Sequence, residues 1–425
     1  MKYFIIIIGI IIIIRPVIAQ PAVEIDSADF DALMKRIEKL ENDFRRQKEG
    51  NELEDLLNEA DQLAVQEKEE EVDISKKFHT GIRQQQGLNP NISIGGDFFG
   101  AVSTSKSDII TAPSEFTYGN NGMHLREIEA SFMSALDPFA RGKVFLQLNE
   151  YGLEVEEAYM ELLNLPLKAS IKAGKIFAEY GLLNRYHEHA LPQFDRPRVA
   201  THYFGKDNFG GIGLAGNFML PNLFFADATT LDITVVEGGN EFSFTDKRKM
   251  NFFYLGHIKN YYDLSESSYF EYTISCVTGR NDTTGYTNST ISSLGLHYKW
   301  EPPSRSKYRT FDWKTELYYG FMEDKEGNIR SKGFYTSFQN KLNARFWIGG
   351  RIGYAELPYD NNQSEWDYTV CLDYWQSEFV FFRLQYQYND RNIHNMLDRY
   401  GHYPSDHSIV LEISWAMGPH KHEAY

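Results

Sequence analysis

The sequence predicts an all-β transmembrane protein: an antiparallel outer-membrane β-barrel of about sixteen strands, preceded by a short α-helical coiled coil. Apolar and polar residues alternate in sixteen segments between residues 91 and 417. Short connections between these segments generally alternate with long ones, and the chain starts with a secretory signal. Alternation with a period of two is typical of a strand with two unlike faces. In a membrane barrel, one face meets lipid and the other lines a wet lumen.

The N-terminus has the features of a secretory signal peptide spanning residues 1–19. Lys2 precedes an apolar run at residues 4–14, and Val17 and Ala19 are the small residues of a cleavage site. The run is short for a membrane span, and no later stretch is apolar for as many as about 18 residues. We therefore predict export from the cytoplasm and insertion into a membrane by strands alone.

The composition argues against nucleic acid as a partner and against a disulfide within the chain. The formal net charge of −16 argues against nucleic acid as a partner, because a phosphate backbone binds basic surfaces. Aromatic residues make up 15% of the chain, which favours strands and the aromatic girdles of membrane barrels. Cys276 and Cys371 fall on opposite strand faces, so no disulfide is expected between them.

Residues 20–75 are predicted to form a helix with a coiled-coil seam. The apolar residues of the seam are spaced four, three and four apart: Leu33, Ile37, Leu40 and Phe44. The helix is either solvated on all sides or joined to other copies of the chain. We favour the coiled coil, because so polar a helix has little else to pack against. Residues 76–90 form a linker, and residues 91–425 form the barrel.

The connections alternate in length along the predicted barrel. Short turns such as residues 137–138 and 376–377 alternate with longer polar loops such as residues 103–123, 177–209 and 389–406. In outer-membrane barrels the short turns lie in the periplasm and the long loops lie outside the cell. An even number of strands then places both ends of the barrel, and the coiled coil, in the periplasm.

Charged residues on the polar strand faces are predicted to line the lumen. They are Glu127, Glu129, Glu157, Glu161, Lys143, Lys172, Lys175, Arg351 and Arg383. Paired carboxylates can act in acid–base catalysis, but charges that pair within a wet lumen explain them better. The sequence contains no nucleophile elbow, phosphate-binding loop or zinc-protease helix, so we predict neither an enzyme nor a cofactor.

The longest loop, residues 177–209, carries the remaining candidate residues. They are Arg185, His187, His189, Arg196, Arg198 and His202. A loop folded inward would narrow the pore, and its cations would attract anions; a loop outside would simply expose its charges to water. Both interpretations fit the sequence.

His187 and His189 could also bind Zn²⁺ or Cu²⁺, but a metal site needs further ligands. Loop polarity explains the pair better, and we predict no metal site.

Several features resemble the phosphate-selective porins of Gram-negative outer membranes. They are the signal peptide, the coiled coil, the sixteen strands, and the segments LEVEEAY at residues 153–159 and KAGK at residues 172–175. The resemblance implies a homotrimer of passive diffusion pores for small ions or solutes. The chain departs from that family because carboxylates are plentiful and Arg351 and Arg383 are isolated. We therefore expect only a mild preference for anions.

An outer-membrane barrel has defined partners, namely the lipid bilayer, the barrel-assembly machinery and the other copies of a homotrimer. Two alternative functions would use other parts of the chain. A receptor or adhesin would bind through the outer loops, and a structural tether would use the coiled coil. An energy-coupled receptor is disfavoured, because the segment before residue 91 is predicted to be helical and is too short for a plug domain.

Overall fold

The computed structural model of the protein describes residues 35, 36, 39, 90–104, 121–150, 152–240, 242–246, 248, 250–283, 286–325, 327–393 and 405–418. The chain divides into two units, residues 1–83 and residues 84–425, and the β-structure belongs to the second. The predicted signal peptide and coiled-coil seam lie outside the described residues, as does the predicted linker except for its last residue. Lys35, Arg36 and Lys39 are helical and exposed. Within the described ranges, no helix is long and apolar enough to cross a membrane.

Sixteen antiparallel strands close into a barrel, in which each strand pairs with its sequence neighbours and the first pairs with the last. The strands are β1 (Asn91–Ser103), β2 (Gly122–Asp137), β3 (Ala140–Asn149), β4 (Gly152–Leu165), β5 (Ala169–Phe177), β6 (Gly210–Leu220), β7 (Ala228–Glu237), β8 (Phe252–Ser265), β9 (Ser268–Arg280), β10 (Asn288–Trp300), β11 (Phe311–Met322), β12 (Ile329–Lys341), β13 (Phe346–Leu357), β14 (Asp360–Trp375), β15 (Val380–Asn392) and β16 (Asp406–Met417). The predicted sixteen-stranded antiparallel barrel is confirmed.

The two faces of the strands differ as their alternation predicts. On β15, Leu384 is 51% exposed on the outer face, whereas the next residue, Gln385, is 1% exposed and points into the lumen. The outer face exposes mainly Ile, Leu, Val, Phe and Tyr, and the inner face is rich in Ser, Thr, Asp and Glu. Cys276 is exposed and Cys371 is buried, so the two thiols lie on opposite faces as predicted.

The connections are generally short at one end of the barrel, the short-turn end, and longer at the other, the long-loop end. At the short-turn end, Oδ1 of Asn343 accepts hydrogen bonds from the backbone N–H groups of Arg345 and Phe346, which closes the turn between β12 and β13. Two connections at the long-loop end contain only two residues each, at 150–151 and 358–359. They are short because strand pairing continues to the last residue on either side.

Two β-bulges turn additional charges toward the lumen. Between β1 and β2 the register shifts at Arg126, and between β3 and β4 it shifts at Glu156. A bulge places two successive residues opposite one, so the alternation of faces is broken locally. Arg126 is consequently buried inside the barrel, and Glu156 reaches the same side as its neighbour Glu157.

One predicted lumen residue lies on the outer face of the barrel. Lys175 is exposed, and its ammonium group donates a hydrogen bond to the backbone carbonyl of Val155. Lys172, by contrast, lies 3.6 Å from Glu179 on the inner side. These two lysines are three residues apart on β5, and a period of two places residues with odd spacing on opposite faces. The prediction that Lys175 lines the lumen is therefore wrong.

Candidate functional site: the barrel lumen and its inserted loop

The connection between β5 and β6, residues 178–209, folds into the barrel, and we call it the lumen loop. It contains a 3-10 turn at Glu188–Ala190 and a short helix, α1, at Arg198–Phe204. The loop bonds to inner-wall residues of β2 and β4 on one side and of β13 to β15 on the other. The sequence leaves the position of this loop open, and the structure has it inside the lumen.

On the side of β2 and β4, basic side chains of the lumen loop meet glutamates of the wall. Nη1 of Arg185 lies 2.7 Å from Oε1 of Glu157. Nδ1 of His189 lies 2.6 Å from Oε1 of Glu127. All four side chains are buried. These predicted site residues are thus brought together as ion-pairing partners that hold the loop to the wall.

His187 occupies a position between two carboxylates of the same wall. Its Nδ1 atom lies 2.9 Å from Oε2 of Glu129 on β2 and 2.9 Å from Oε2 of Glu156 on β4. Its Nε2 atom lies 3.7 Å from Oε2 of Glu157. The sequence places Glu129 and Glu157 on the lumen face by alternation, but the bulge that adds Glu156 has no signal in the alternation.

On the wall formed by β13 and β15, Asp195 of the lumen loop is the main point of attachment. Its carboxylate accepts hydrogen bonds from Arg351 at 3.0 and 3.1 Å, from Gln385 at 3.0 Å and from Gln387 at 3.1 Å. The backbone N–H of Phe194 donates to Oε1 of Gln385 at 2.9 Å. The alternation of residues on β13 predicts that Arg351 faces the lumen, but it does not identify Asp195, 156 positions away, as its partner.

Helix α1 is attached to β12 and β14 by two buried polar contacts. Nε2 of His202 lies 2.7 Å from Oε2 of Glu365, and both side chains are fully buried. The hydroxyl of Tyr203 donates a hydrogen bond to Oγ of Ser331 at 2.8 Å. His202 therefore lies against β14, whereas His187 lies against β2 and β4, and His202 does not join the other two imidazoles.

An apolar cluster also lies inside the barrel, where the alternation predicts only polar groups. Phe204 and Phe209 of the lumen loop pack against Phe244, from the connection between β7 and β8, and against Phe253 of β8, with ring centroids 4.8 to 6.4 Å apart. The sequence signal for this cluster is the run of apolar residues at 252–255, which makes both faces of β8 apolar. The lumen loop therefore has a hydrophobic core of its own.

Glycines on the inner wall make room for this core. A Cβ atom on Gly320 would lie 2.7 Å from Cε1 of Tyr203, and one on Gly333 would lie 2.5 Å from Cγ2 of Val199. Real Cβ atoms essentially never approach this closely. The wall of β11 and β12 is thus shaped to receive the side chains of α1.

The other predicted site residues also make contacts in the lumen or lie buried there. Lys143 is buried on β3. The remaining contacts join Nη2 of Arg196 to the Tyr186 carbonyl at 2.6 Å, Nη2 of Arg198 to Oδ2 of Asp195 at 3.4 Å, Nε of Arg141 to Oε2 of Glu161 at 2.5 Å and Nε of Arg383 to Oδ1 of Asp373 at 2.8 Å. The loop arginines are therefore largely compensated by carboxylates or carbonyls.

A cavity of about 260 Å³ lies between the lumen loop and the wall of β10 to β15. Its ionisable lining residues are Lys299, Lys314, Arg383, His189, Asp312 and Asp373, and its aromatic ones include Tyr186, Trp347, Trp375 and Phe381. Most of the lining residues sit near the short-turn ends of their strands. The arrangement suits a small polar solute or a hydrated ion better than a purely apolar ligand.

The charge states of the lumen loop follow from its partners. Burial alone would lower the pKa of His187, but hydrogen bonds with Glu129 and the neighbouring wall carboxylates raise it well above the usual imidazole value. Burial would likewise lower the pKa of His189, but Glu129 and Glu127 raise it. Both imidazoles are therefore stabilised as cations against the glutamate-rich wall.

The carboxyl group that fixes the loop to β13 and β15, that of Asp195, behaves in the reverse way. Burial alone would raise the pKa of Asp195, but the guanidinium groups of Arg351 and Arg198 lower it below the usual range. Asp195 is consequently held as a carboxylate. The attachments at His187, His189 and Asp195 thus join groups of opposite charge.

The barrel is similar in fold to solved outer-membrane porins. The anion-selective porin from Comamonas acidovorans shares 7% identity at a TM-score of 0.54, covering 78% of this chain and 100% of that one. OprB of Pseudomonas putida shares 8% sequence identity at a TM-score of 0.52, covering 79% of this chain and 95% of that one. OmpT of Vibrio cholerae, an outer membrane protein in trimer form, shares 9% sequence identity at a TM-score of 0.51, covering 77% of this chain and 100% of that one.

At these identities the likeness establishes the fold alone. No protein-family model matches the sequence, and no curated protein matches it.

Proposed function

We propose that this protein is an outer-membrane channel through which small ions or solutes diffuse passively, along a path narrowed by the lumen loop. The observation that carries the proposal is a closed barrel with a charged inner wall, crossed by a loop that is bonded to both sides. A loop in this position determines the width and the polarity of the path. The porin-like fold supports the same function, and we propose no enzymatic activity.

We further propose that the channel has a mild preference for anions. The cavity between the loop and the wall is lined by four cations, Lys299, Lys314, Arg383 and the imidazolium of His189, and by two carboxylates. Lys314 pairs with Asp312 and Arg383 pairs with Asp373, whereas Lys299 pairs with Glu301, which does not line the cavity. The preference is mild because most loop and wall charges compensate one another at short range.

The protein is proposed to reside in a Gram-negative outer membrane as a homotrimer, with the lipid bilayer and the barrel-assembly machinery as its partners. The apolar outer face and the predicted signal peptide support this location, and the trimer form of the similarly folded OmpT supports the assembly. The predicted coiled coil would join the copies in the periplasm. Cross-linking of a variant lacking residues 26–75 should then yield fewer oligomers while the barrel still inserts.

Conductance in a planar lipid bilayer tests the channel directly. The purified protein should produce discrete conductance steps, and deletion of residues 191–201 should increase their size, because it removes the part of the loop that crosses the lumen. As a control, shortening the connection at residues 281–287 should leave the conductance near that of the intact protein. Full insertion without any conductance in either form would contradict the proposal and favour a receptor or adhesin.

Reversal potentials in a salt gradient test the selectivity. Lys299→Glu should shift the reversal potential toward that of a cation-selective pore, because it replaces a cation of the cavity lining by an anion. The matched control is Lys332→Glu, since Lys332 lies outside the cavity lining with a side chain that is 73% exposed. An equal shift in both variants would show that the cavity does not control selectivity.

A further inference from the structure

The contact between the lumen loop and the β2–β4 wall contains a compact group of metal-ligand atoms. Glu129, Glu156 and His187 each offer one ligand atom, and these three atoms all lie within 4.8 Å of one another. Glu129 and Glu156 belong to the barrel wall, and His187 belongs to the loop. The group therefore joins three separate segments of the chain at one point.

The fold positions each of these ligand atoms independently of the others. Regular alternation on β2 turns Glu129 inward, and the bulge on β4 turns Glu156 toward the same point. The imidazole of His187 is held by two aromatic rings, with centroid distances of 4.8 Å to Phe145 and 5.4 Å to Phe177. The donor atoms are thus presented by two wall strands and by a histidine whose ring is packed in place.

Nδ1 of His187 faces two carboxylate oxygens at once, an arrangement that also suits a metal ion in place of the proton. The carboxylate oxygens of Glu129 and Glu156 lie at the same distance from Nδ1, 2.9 Å. A single N–H can make one strong, linear hydrogen bond. It can therefore donate with good geometry to only one of these two oxygens. A metal ion bonds all three atoms at once. Ligand bonds of about 2.0–2.2 Å in tetrahedral geometry require donor atoms roughly 3.3 Å apart, which small shifts of both carboxylates provide.

A second carboxylate lies where metal sites usually have one. Oε2 of Glu157 is buried, makes no hydrogen bond with the described residues and lies 3.7 Å from Nε2 of His187. When a metal ion occupies Nδ1 of an imidazole, Nε2 carries the proton and commonly donates it to a carboxylate, which orients the ring. The other oxygen of Glu157 is already fixed by Arg185 and by the backbone N–H of Phe177. Glu157 is therefore placed to orient the His187 ring.

We infer that Glu129, Glu156 and His187 form a site for a divalent transition-metal ion, with Zn²⁺ as the best match, which fastens the lumen loop to the wall. One imidazole and two carboxylates suit Zn²⁺, and three protein ligands leave a fourth position for water. The two carboxylates also balance the charge of the ion. The inference does not depend on whether a solute passes through the barrel.

Calorimetric titration of the chelator-treated protein in detergent with ZnCl₂ tests this site. All variants carry His420→Gln and His422→Gln, because this H-x-H pair in the sequence could bind Zn²⁺ by itself. The protein with only these two substitutions, which we call the parent, should bind one Zn²⁺ per chain. Mg²⁺ should bind to it far more weakly. His187→Gln and Glu129→Gln should weaken binding at least roughly 100-fold, and Glu157→Gln should weaken it roughly 10- to 100-fold by freeing the ring.

Two further variants complete the test. His407→Gln should bind Zn²⁺ as the parent does, because His407 is exposed and contacts Tyr386 far from the cluster. Glu156→Gln keeps the contact between His187 and Glu129, and it serves as the ligand variant if the others fail to show the heat-dependent gel shift of a folded barrel. Absence of stoichiometric binding in the parent, or binding that survives His187→Gln or Glu156→Gln unchanged, would overturn the inference.

Discussion

Arg351 on β13 and Asp195 in the lumen loop are joined inside the barrel by two hydrogen bonds of 3.0 and 3.1 Å between guanidinium and carboxylate. Nη1 of Arg351 also donates to the Asp195 carbonyl at 2.6 Å, and Nε donates to Asp367 at 2.7 Å. The arginine side chain is fully buried. This pair therefore attaches the loop to the wall through both backbone and side chain, and the loop cannot leave the wall without exposing a buried charge to water or leaving it unpaired.

Loss of the Asp195 carboxylate should loosen the loop. Asp195→Asn removes a charged acceptor while Arg351 keeps Asp367, so we expect a loss of about 2 kcal/mol in the stability of the loop attachment. Protease cleavage within residues 191–201 and current noise in bilayers should both increase. Asp207→Asn changes an exposed carboxylate of the same loop and should behave like the unaltered protein. Equal effects from the two variants would mean that the Asp195 pair does not hold the loop.

The wall glycine beneath α1 should be intolerant of a side chain. Gly333→Val introduces atoms where Val199 already lies and close to the Tyr354 carbonyl, so α1 should be displaced and the pairing of β12 with β13 should be strained locally. The expected result is a normally inserted barrel with altered conductance and a more readily cleaved loop. Gly256→Val is the matched control, because a Cβ at Gly256 meets nothing within 4 Å. A Gly333→Val protein with an unchanged conductance would show that α1 does not shape the path.

The depth of a residue on the outer face should determine the cost of a charge. Leu384 lies within β15 and Met417 at the end of β16, and their exposures are similar, 51% and 53%. Leu384→Arg should lower the free energy of unfolding in lipid by about 2–4 kcal/mol, whereas Met417→Arg should lower it by about 0–1 kcal/mol, because the cost falls toward the interface. Urea unfolding in vesicles measures both. Similar losses would show that the outer face is not embedded as proposed.

The attachment of the lumen loop should weaken as the pH rises. His187 and His189 have raised pKa values in the folded protein, so their protonation stabilises the attachment fully below the pKa of an unfolded histidine, about 6.5. The stabilisation is lost as the pH increases through the folded values. Protease cleavage of the loop, measured between pH 6 and pH 9 with a chelator present, should therefore increase with pH.

The matching histidine variant shows whether these groups are responsible. His189→Gln removes one of the two titrating partners of the glutamate wall, so it should flatten the pH dependence and give readier cleavage already at pH 6. His407→Gln alters an exposed histidine and should leave the profile unchanged. A profile that falls with increasing pH would contradict the proposed role of the imidazoles.

The alternation of apolar and polar residues is enough to predict the strand pattern of this protein. Leu384 and Gln385 lie on opposite faces because a strand alternates with a period of two, and the hydrophobic cost of misplacing a whole row of side chains fixes the register. The number of strands and the opposite orientations of Cys276 and Cys371 follow from the same rule. The same rule places Lys175 on the outer face, because it is three residues, an odd spacing, from the inward-facing Lys172.

What fills the barrel depends on contacts that form only in the folded protein. Alternation describes a strand and its immediate neighbours, and it carries no information about a loop that bonds across the lumen. Asp195 finds Arg351 only because barrel closure brings β13 opposite the lumen loop. The bulge at Glu156 interrupts the alternation and so has no periodic signal. The ligand cluster with His187 depends on both events, because its three donors come from segments that are distant in sequence and meet only when the barrel is closed around its loop.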